Sequence, residues 1–312
     1  MSNKVSVVTP VYNEENNIKI FSDRLISTLE KIGTDYEIIF VLDPSTDKTE
    51  KIILELIKVN KKIKLITLSR RFGQPSATMA GIQNISGDIC VVIDCDLQDP
   101  PELIYDMYQK MNEGFDAVLA RRRTRKGETL IKKIITKFGY FLIEKITDIK
   151  IPKNTGDFRL ISKRIIENLN KFKEPNGFLR GLVAYIGFNQ TFIDYDRDER
   201  FEGKSKYNKY IGSLQIAFNG IFGFSSRPLF LMSIVGFIFA FLSFSIGIYY
   251  LIVKFIDPTI TPGLSSTVLF ITFFSGLNLI GLGLLGEYVG RIYDEVKNRP
   301  NFIIDKKYNF ND

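Results

Sequence analysis

The sequence VVIDCDLQDPPEL, residues 91–103, begins like a buried strand and ends in a group of carboxylates. Its first three residues are β-branched and apolar, which favours a strand that is buried on both faces. Asp94, Asp96 and Asp99 follow within six positions, and Gln98 lies among them. Acids that come directly after such a strand indicate that the strand opens into a cleft.

Strand-like and helical patterns alternate over the first 120 residues. The predicted strands cover residues 5–9, 37–42, 64–68, 89–94 and 117–120, and the predicted helices cover residues 18–31, 46–59, 75–84 and 102–112. This alternation predicts an α/β fold with a mainly parallel sheet. Ligands of such sheets bind outside the carboxyl ends of the strands, which is where Asp94 is expected.

The net charge of +7 comes from one part of the chain. Residues 121–150 contain ten Lys or Arg against three Asp or Glu, whereas residues 229–312 contain six of each. Residues 130–146 have the spacing of an amphipathic basic helix, which suits an anionic membrane surface or packing onto its own domain. Nucleic acid is disfavoured as a partner, because the basic residues are not interleaved with exposed aromatic residues.

Two long uncharged segments follow the basic region, at residues 229–253 and 267–286. Each is long enough for a transmembrane helix, so together they predict a hairpin. The basic residues after the second segment favour a cytosolic C-terminus, and the N-terminus has no signal-peptide pattern. The predicted parts are a cytosolic domain (1–204), a juxtamembrane amphipathic segment (205–228), two transmembrane helices (229–286) and a cytosolic tail (287–312), in a cell (inner) membrane.

The chain has no histidine, so any proton transfer must use carboxylates, Lys, Tyr or the substrate itself. Asp94 and Asp96 form an Asp-x-Asp pair, and residues two apart on an extended backbone point the same way. Hard oxygen ligands of this kind favour Mg²⁺ or Mn²⁺, to which Gln98 could add a neutral oxygen.

Other segments complete a pattern that resembles a known family. Polar residues follow the first three predicted strands, and DLQDPPE (96–102), GDFRL (156–160) and GEYVGRIY (286–293) accompany the paired apolar segments. The chain is similar over nearly its full length to family 2 glycosyltransferases, specifically dolichol-phosphate mannose synthases and bactoprenol glucosyltransferases. The resemblance implies a Rossmann-like GT-A domain over residues 1–204 that binds a nucleotide-sugar.

The resemblance also implies roles for particular residues. They are nucleotide binding (Pro10, Tyr12, Glu14, Asp43, Asp94), metal binding (Asp94, Asp96, Gln98), pyrophosphate binding (Arg200, Ser205, Lys206), acceptor-phosphate binding (Arg121) and catalysis (Asp94, Asp96, Asp157). The family often has Asp-Asp-Gly-Ser where this chain has Leu42-Asp43-Pro44-Ser45, so the nucleotide preference stays open.

The implied reaction is an inverting, metal-dependent transfer of a sugar to polyprenyl phosphate at the cytosolic membrane face. UDP-glucose is the first candidate donor, and acetamido sugars, mannose or a modified pentose are alternatives. A processive polysaccharide synthase is disfavoured, because its Gln-x-x-Arg-Trp motif requires a tryptophan and the chain has none. A non-catalytic nucleotide-sugar binder and a homo-oligomer stay open. A phosphate monoester is largely ionised above its second pKa of ~6, so Asp157 is predicted to position substrate more than to act as a base.

Overall fold

The computed structural model describes residues 4–123, 152, 154–172, 179–197, 222–223, 225–257 and 263–310. The strands in this part of the chain are β1 (Val5–Val11), β2 (Tyr36–Leu42), β3 (Ile63–Leu68), β4 (Ile89–Val92), β5 (Ala117–Arg122), β6 (Thr155–Ser162), β7 (Gln190–Tyr195) and β8 (Ile304–Tyr308). The helices are α1 (Ile18–Ile32), α2 (Thr49–Val59), α3 (Gln74–Ile82), α4 (Leu103–Asn112), α5 (Lys163–Leu169), α6 (Leu179–Ile186), α7 (Arg227–Ile256) and α8 (Leu264–Lys297).

The eight described strands form one sheet in the order β7-β5-β6-β4-β1-β2-β3-β8. The central strands β4, β1, β2 and β3 are parallel, and β5 pairs in parallel with β7. β6 runs antiparallel between β4 and β5, and β8 runs antiparallel along β3. The predicted α/β fold with a mainly parallel sheet is confirmed.

Helices cover both faces of the sheet, so the strands read as continuous apolar runs. One core lies under α1, α2 and α4, and the other lies under α3, α5 and α6. The second core requires a close approach at Gly81 of α3, where an added Cβ would lie 2.2 Å from a methyl group of Val8. Glycine therefore lets this helix sit directly on β1.

A buried carboxylate fastens the amino ends of the strands, opposite the predicted site. Glu37 accepts hydrogen bonds from Ser6 Oγ (2.6 Å), the Ser86 backbone N–H (2.6 Å) and Lys64 Nζ (2.7 Å). Burial alone would raise the pKa of Glu37, but these partners outweigh burial and lower it from 4.5 to about 2. The charged form of Glu37 therefore stabilises the fold.

The predicted helices and the first five strands lie within a few residues of the observed ones. β4 is shorter than predicted, because it ends at Val92 and the chain then turns, with Leu97 at φ 60°. Asp94 and Asp96 consequently lie on a loop and not on extended strand. β6, β7 and β8 were absent from the sequence prediction.

The two apolar helices are longer than predicted. Within α7 and α8, the stretches Arg227–Tyr249 and Thr267–Lys297 are long and apolar enough to cross a membrane, and their apolar side chains are largely exposed. Such helices indicate association with a membrane. Within the tail predicted over residues 287–312, α8 continues to Lys297 and β8 pairs with β3.

Candidate active site

The carboxyl ends of β1, β2 and β4 meet at one edge of the sheet, because these strands are parallel and adjacent. Pro10 is buried in β1, and Tyr12 and Glu14 follow in a partly exposed loop. The loop is braced by Asn13, which adopts a φ of 50° and accepts a hydrogen bond from the Thr46 N–H at 2.8 Å. The β1 and β2 ends thus form one unit.

Asp43, directly after β2, is nearly fully buried. Its two carboxylate oxygens accept hydrogen bonds from the backbone N–H groups of Phe72 (3.0 Å) and Gly73 (2.9 Å). Gly73 has a φ of 91°, a conformation that favours glycine. Asp43 therefore holds the loop after β3, and this loop carries the Arg71 guanidinium to 4.2 Å from the centre of the Tyr12 ring.

Four carboxylates form an acidic cluster at the β4 end of this edge: Asp94, Asp96, Asp99 and Asp157. Asp94 accepts a hydrogen bond from Gln74 Nε2 at 2.8 Å, and Asp96 accepts one from the Gln98 backbone N–H at 3.2 Å. Burial raises the pKa of Asp94, and the neighbouring charges of Asp157, Asp96 and Asp99 raise it further. An excess of negative charge is thus concentrated around Asp94.

A divalent cation fits this donor set. Carboxylate oxygens are hard ligands, and a cation would relieve the repulsion that raises the pKa of Asp94. In the described part of the chain, no group of three or more His, Cys, Asp or Glu side chains is arranged to hold a metal ion by itself. Such an open arrangement suits Mg²⁺ or Mn²⁺, which usually combine one or two carboxylates with waters and substrate phosphates.

Asp157, on β6, is paired with a cation that the sequence did not point out. Arg180 of α6 donates to both carboxylate oxygens of Asp157, at 2.9 and 3.2 Å, and the fully buried Arg159 lies 3.8 Å away. Burial opposes the charge of Asp157, but Arg180 above all outweighs this and lowers the pKa from 3.8 to about 2. Asp157 is therefore a fixed anion and a weak base at neutral pH.

Asp99, a member of the acidic cluster, also contacts one tyrosine and two arginines. It accepts a short hydrogen bond from the Tyr195 hydroxyl and another from Arg197 Nε at 3.2 Å. Arg122 lies 3.7 Å from the same carboxylate and donates to the Tyr195 hydroxyl at 3.2 Å. Burial disfavours the charge of Arg122, but Asp99 outweighs this and the pKa of Arg122 is raised. Two guanidiniums therefore border the site.

Arg121 is not brought together with these groups. Successive residues of a strand face opposite sides of the sheet, and Arg121 forms a two-point ion pair with Asp194, at 2.6 and 2.9 Å. Arg121, Arg122 and Arg123 nevertheless line one cavity of about 510 Å³, together with Pro152 and Asn154 before β6 and with Phe192 and Asp194 of β7. Arg122 links this cavity to the acidic cluster, because its guanidinium also lies 3.7 Å from Asp99.

Several expected residues lie outside the described part of the chain. They are Arg200, Ser205 and Lys206, the amphipathic segment at residues 130–146 and most of residues 205–228. The sequence missed Gln74, Arg122, Arg180 and Arg197 as members of the site. Of these four residues, Arg122 alone could have been identified from the sequence. Side chains alternate along a strand, so Arg122 faces the same side of the sheet as the buried Ala120, and Arg121 faces the other side.

The chain resembles known proteins over most of its length. Residues 6–169 match glycosyl transferase family 2. An uncharacterized glycosyltransferase of Synechocystis sp. is 42% identical over 305 residues, which cover 97% of this chain and 95% of that protein. The SfII prophage-derived bactoprenol glucosyl transferase of Shigella flexneri is 38% identical over 308 residues, which cover 99% of each chain.

Solved structures match the domain less closely. Glucosyl-3-phosphoglycerate synthase from Mycobacterium tuberculosis, in complex with Mn²⁺, UDP and phosphoglyceric acid, matches with a TM-score of 0.46 at 19% identity, covering 70% of this chain and 76% of that one.

A mixed, mainly parallel sheet with an acidic edge, combined with these relatives, defines a glycosyltransferase of the GT-A fold. The chain belongs to glycosyl transferase family 2. The predictions of the family, the fold class and the enzyme class are confirmed.

Proposed function

We propose that the protein transfers a sugar, with UDP-glucose as the first candidate donor, to polyprenyl phosphate at the cytosolic face of a membrane. The observation that carries this proposal is the juxtaposition of the acidic cluster with Arg122 and Arg197, because the reaction brings a nucleotide-sugar and an anionic acceptor together. The relatives named bactoprenol glucosyl transferase support a polyprenyl acceptor and a glucosyl donor.

The donor would lie along the ends of β1, β2 and β4. Pro10, Tyr12 and Glu14 would contact the nucleoside, and Asp43 would hold the loop beside it through the Phe72 and Gly73 N–H groups. Asp94, Asp96 and Gln98 would hold the divalent cation, which supplies positive charge that stabilises the leaving diphosphate. Arg200, Ser205 and Lys206 keep their proposed role as pyrophosphate contacts.

The acceptor phosphate would enter through the arginine-lined cavity. Arg122 borders both this cavity and the acidic cluster, so its guanidinium can hold the phosphate beside the donor sugar. Arg121 is proposed to contribute at the outer side of the cavity, where Asp194 neutralises part of its charge.

The chemistry is a direct displacement. A phosphate oxygen of the acceptor forms a bond to the anomeric carbon, while the bond from that carbon to the diphosphate breaks and the nucleoside diphosphate leaves with the electron pair. Attack from the opposite face inverts the configuration. Asp157, a fixed anion held by Arg180, positions the reactants and stabilises the positive charge that develops on the sugar carbon.

The membrane arrangement follows from the two ends of the hairpin. β8 comes after the second apolar helix and pairs with β3, so both ends of the hairpin would lie on the side of the catalytic domain. We propose a protein that crosses the membrane twice, with a cytosolic catalytic domain at residues 1–204, a juxtamembrane segment at residues 205–228 and a cytosolic C-terminus.

The test is a product assay with purified protein, short-chain polyprenyl phosphate and Mn²⁺. UDP-glucose, a UDP-acetamido sugar, GDP-mannose and a nucleotide-activated pentose are supplied in separate reactions, and the lipid is weighed by mass spectrometry. We expect one donor to add the mass of one sugar, with inverted anomeric configuration. An unchanged lipid mass with every donor, for protein that still binds nucleotide-sugar, would overturn the proposal in favour of a binding protein.

A further inference from the structure

The C-terminal strand is fastened to β3 at several points. Lys306 donates its backbone N–H to Thr67 Oγ1 at 3.1 Å, and the Ser69 N–H donates to the carbonyl oxygen of Ile303 at 2.9 Å. At the other end of β3, Asn309 Nδ2 donates to two backbone carbonyls, at 2.7 and 2.8 Å. β8 therefore covers the length of an edge strand that would otherwise be open.

The contact between Ser69 and Ile303 lies at the start of the loop that follows β3. This loop, residues 69–73, is named the β3–α3 loop. The backbone N–H groups of Phe72 and Gly73 in this loop donate hydrogen bonds to Asp43, and Arg71 of the same loop lies over the Tyr12 ring. Gln74, the residue after the loop, donates to Asp94. One short segment thus contacts the proposed nucleoside pocket and the proposed metal ligand.

The β3–α3 loop is held from two opposite sides. Asp43 fixes its end at Gly73, and Ile303 fixes its start at Ser69. The register between β3 and β8 shifts between Thr67 and Leu68, so the pairing adjusts directly before the loop. The Asp43 attachment lies within the first 120 residues, whereas the Ile303 attachment depends on the C-terminal segment of the chain.

We propose that β8 is a positioning element for the donor site: it fixes the β3–α3 loop so that Arg71, Asp43 and Gln74 are preorganised for the nucleotide-sugar. This inference rests on the proposed function and extends it to a segment beyond the membrane hairpin. Only residues 298–303 separate α8 from β8, so the hairpin and the donor pocket are connected through one short link. Loss of the β8 contacts lets the loop sample other conformations, and donor binding then includes the cost of ordering it.

The test compares two substitutions at one exposed position of the full-length protein. Lys306→Pro removes the backbone N–H that donates a hydrogen bond to Thr67 Oγ1. Lys306→Ala keeps this N–H and removes only the exposed side chain. Thr67→Val removes the acceptor from the opposite strand with little change in shape and serves as an independent variant. Donor KM, acceptor KM and kcat are measured, together with hydrogen exchange of the Phe72 and Gly73 amides.

We expect Lys306→Pro to raise donor KM about tenfold, with acceptor KM and kcat within about twofold, and to accelerate exchange of the Phe72 and Gly73 amides. Thr67→Val should show the same pattern to a smaller extent, and Lys306→Ala should match the wild type. Unchanged donor KM and unchanged exchange in both Lys306→Pro and Thr67→Val, with normal wild-type transfer, would overturn the role of β8 and leave the proposed function intact. Equal losses in donor KM, acceptor KM and kcat would mean that β8 only stabilises the fold. A wild type that transfers no sugar would instead refute the proposed function.

Discussion

Replacing Asp157 with Asn should lower the transfer rate by the same factor at every pH between about 5.5 and 8.5. The pKa of Asp157 is about 2, whereas the second pKa of a phosphate monoester is ~6. Removal of a proton from the acceptor by Asp157 would be uphill by about four pKa units, or about 5 kcal/mol. Asp157 therefore contributes through its fixed charge, and the acceptor must arrive already ionised.

The size of the loss follows from that charge. A unit charge about 6 Å from the developing positive charge, at an effective dielectric constant of about 20, contributes about 2.8 kcal/mol, or about 100-fold in rate. Arg180 neutralises part of the charge of Asp157, so the expected loss lies between about 10-fold and 100-fold. Below pH ~6 the wild type and the variant should decline together, because both depend on the ionised acceptor.

The assay measures initial rates of sugar transfer at saturating donor for the wild type and for Asp157→Asn across this pH range. Asp88→Asn is the control, since it removes a partly exposed carboxylate that is paired with Lys163 at the amino end of β4, away from the proposed site. A loss that disappears at high pH, with unchanged affinity for Mn²⁺, would refute the reasoning and identify Asp157 as a general base.

Three further predictions concern stability, metal binding and the acceptor. Glu37→Gln should lower the free energy of unfolding by about 3 kcal/mol at pH 7, measured by urea denaturation. Because folding lowers the pKa of Glu37 from 4.5 to about 2, the difference between wild type and variant should shrink as the pH falls from about 4.5 towards 2. Asp94→Asn should abolish Mn²⁺-dependent transfer yet leave the thermal midpoint in EDTA unchanged or higher, because burial and the neighbouring carboxylates both disfavour a charge at this position; a lower midpoint would contradict the proposed metal site. Arg122→Gln should raise acceptor KM at least tenfold and Arg121→Gln less than threefold, and the reverse order would show that Arg121 is the main contact.

The central sheet could be predicted from the sequence because its strands are buried on both faces and alternate with amphipathic helices. β8 could not, since its sequence IDKKY is polar and exposed, and its partner β3 lies more than 200 residues earlier. β6 was not predicted because Asp157 and Arg159 interrupt its apolar pattern. Arg159 is nevertheless fully buried, and its guanidinium donates hydrogen bonds to three backbone carbonyls.

The positions of Asp94 and Asp96 could be predicted from the sequence, because acids that directly follow a buried strand lie at its carboxyl end. Asp157 lies within β6 and was predicted only from the resemblance to family 2 glycosyltransferases. The partners of these acids were not. Asp43 accepts its hydrogen bonds from backbone N–H groups 29 and 30 positions away, and no side-chain pattern indicates such a bond. Arg180 pairs with Asp157 across 23 positions, which depends on how α6 packs against β6.

The measurement that tests the account most directly is transfer of labelled sugar from UDP-glucose to polyprenyl phosphate by the purified protein in lipid nanodiscs. The account predicts that the label moves into the organic-extractable lipid with Mn²⁺ or Mg²⁺, that chelation stops this movement, and that added metal restores it. Transfer that continues at the full rate in excess chelator, or in the Asp94→Asn variant, would contradict a metal site at the acidic edge of the sheet.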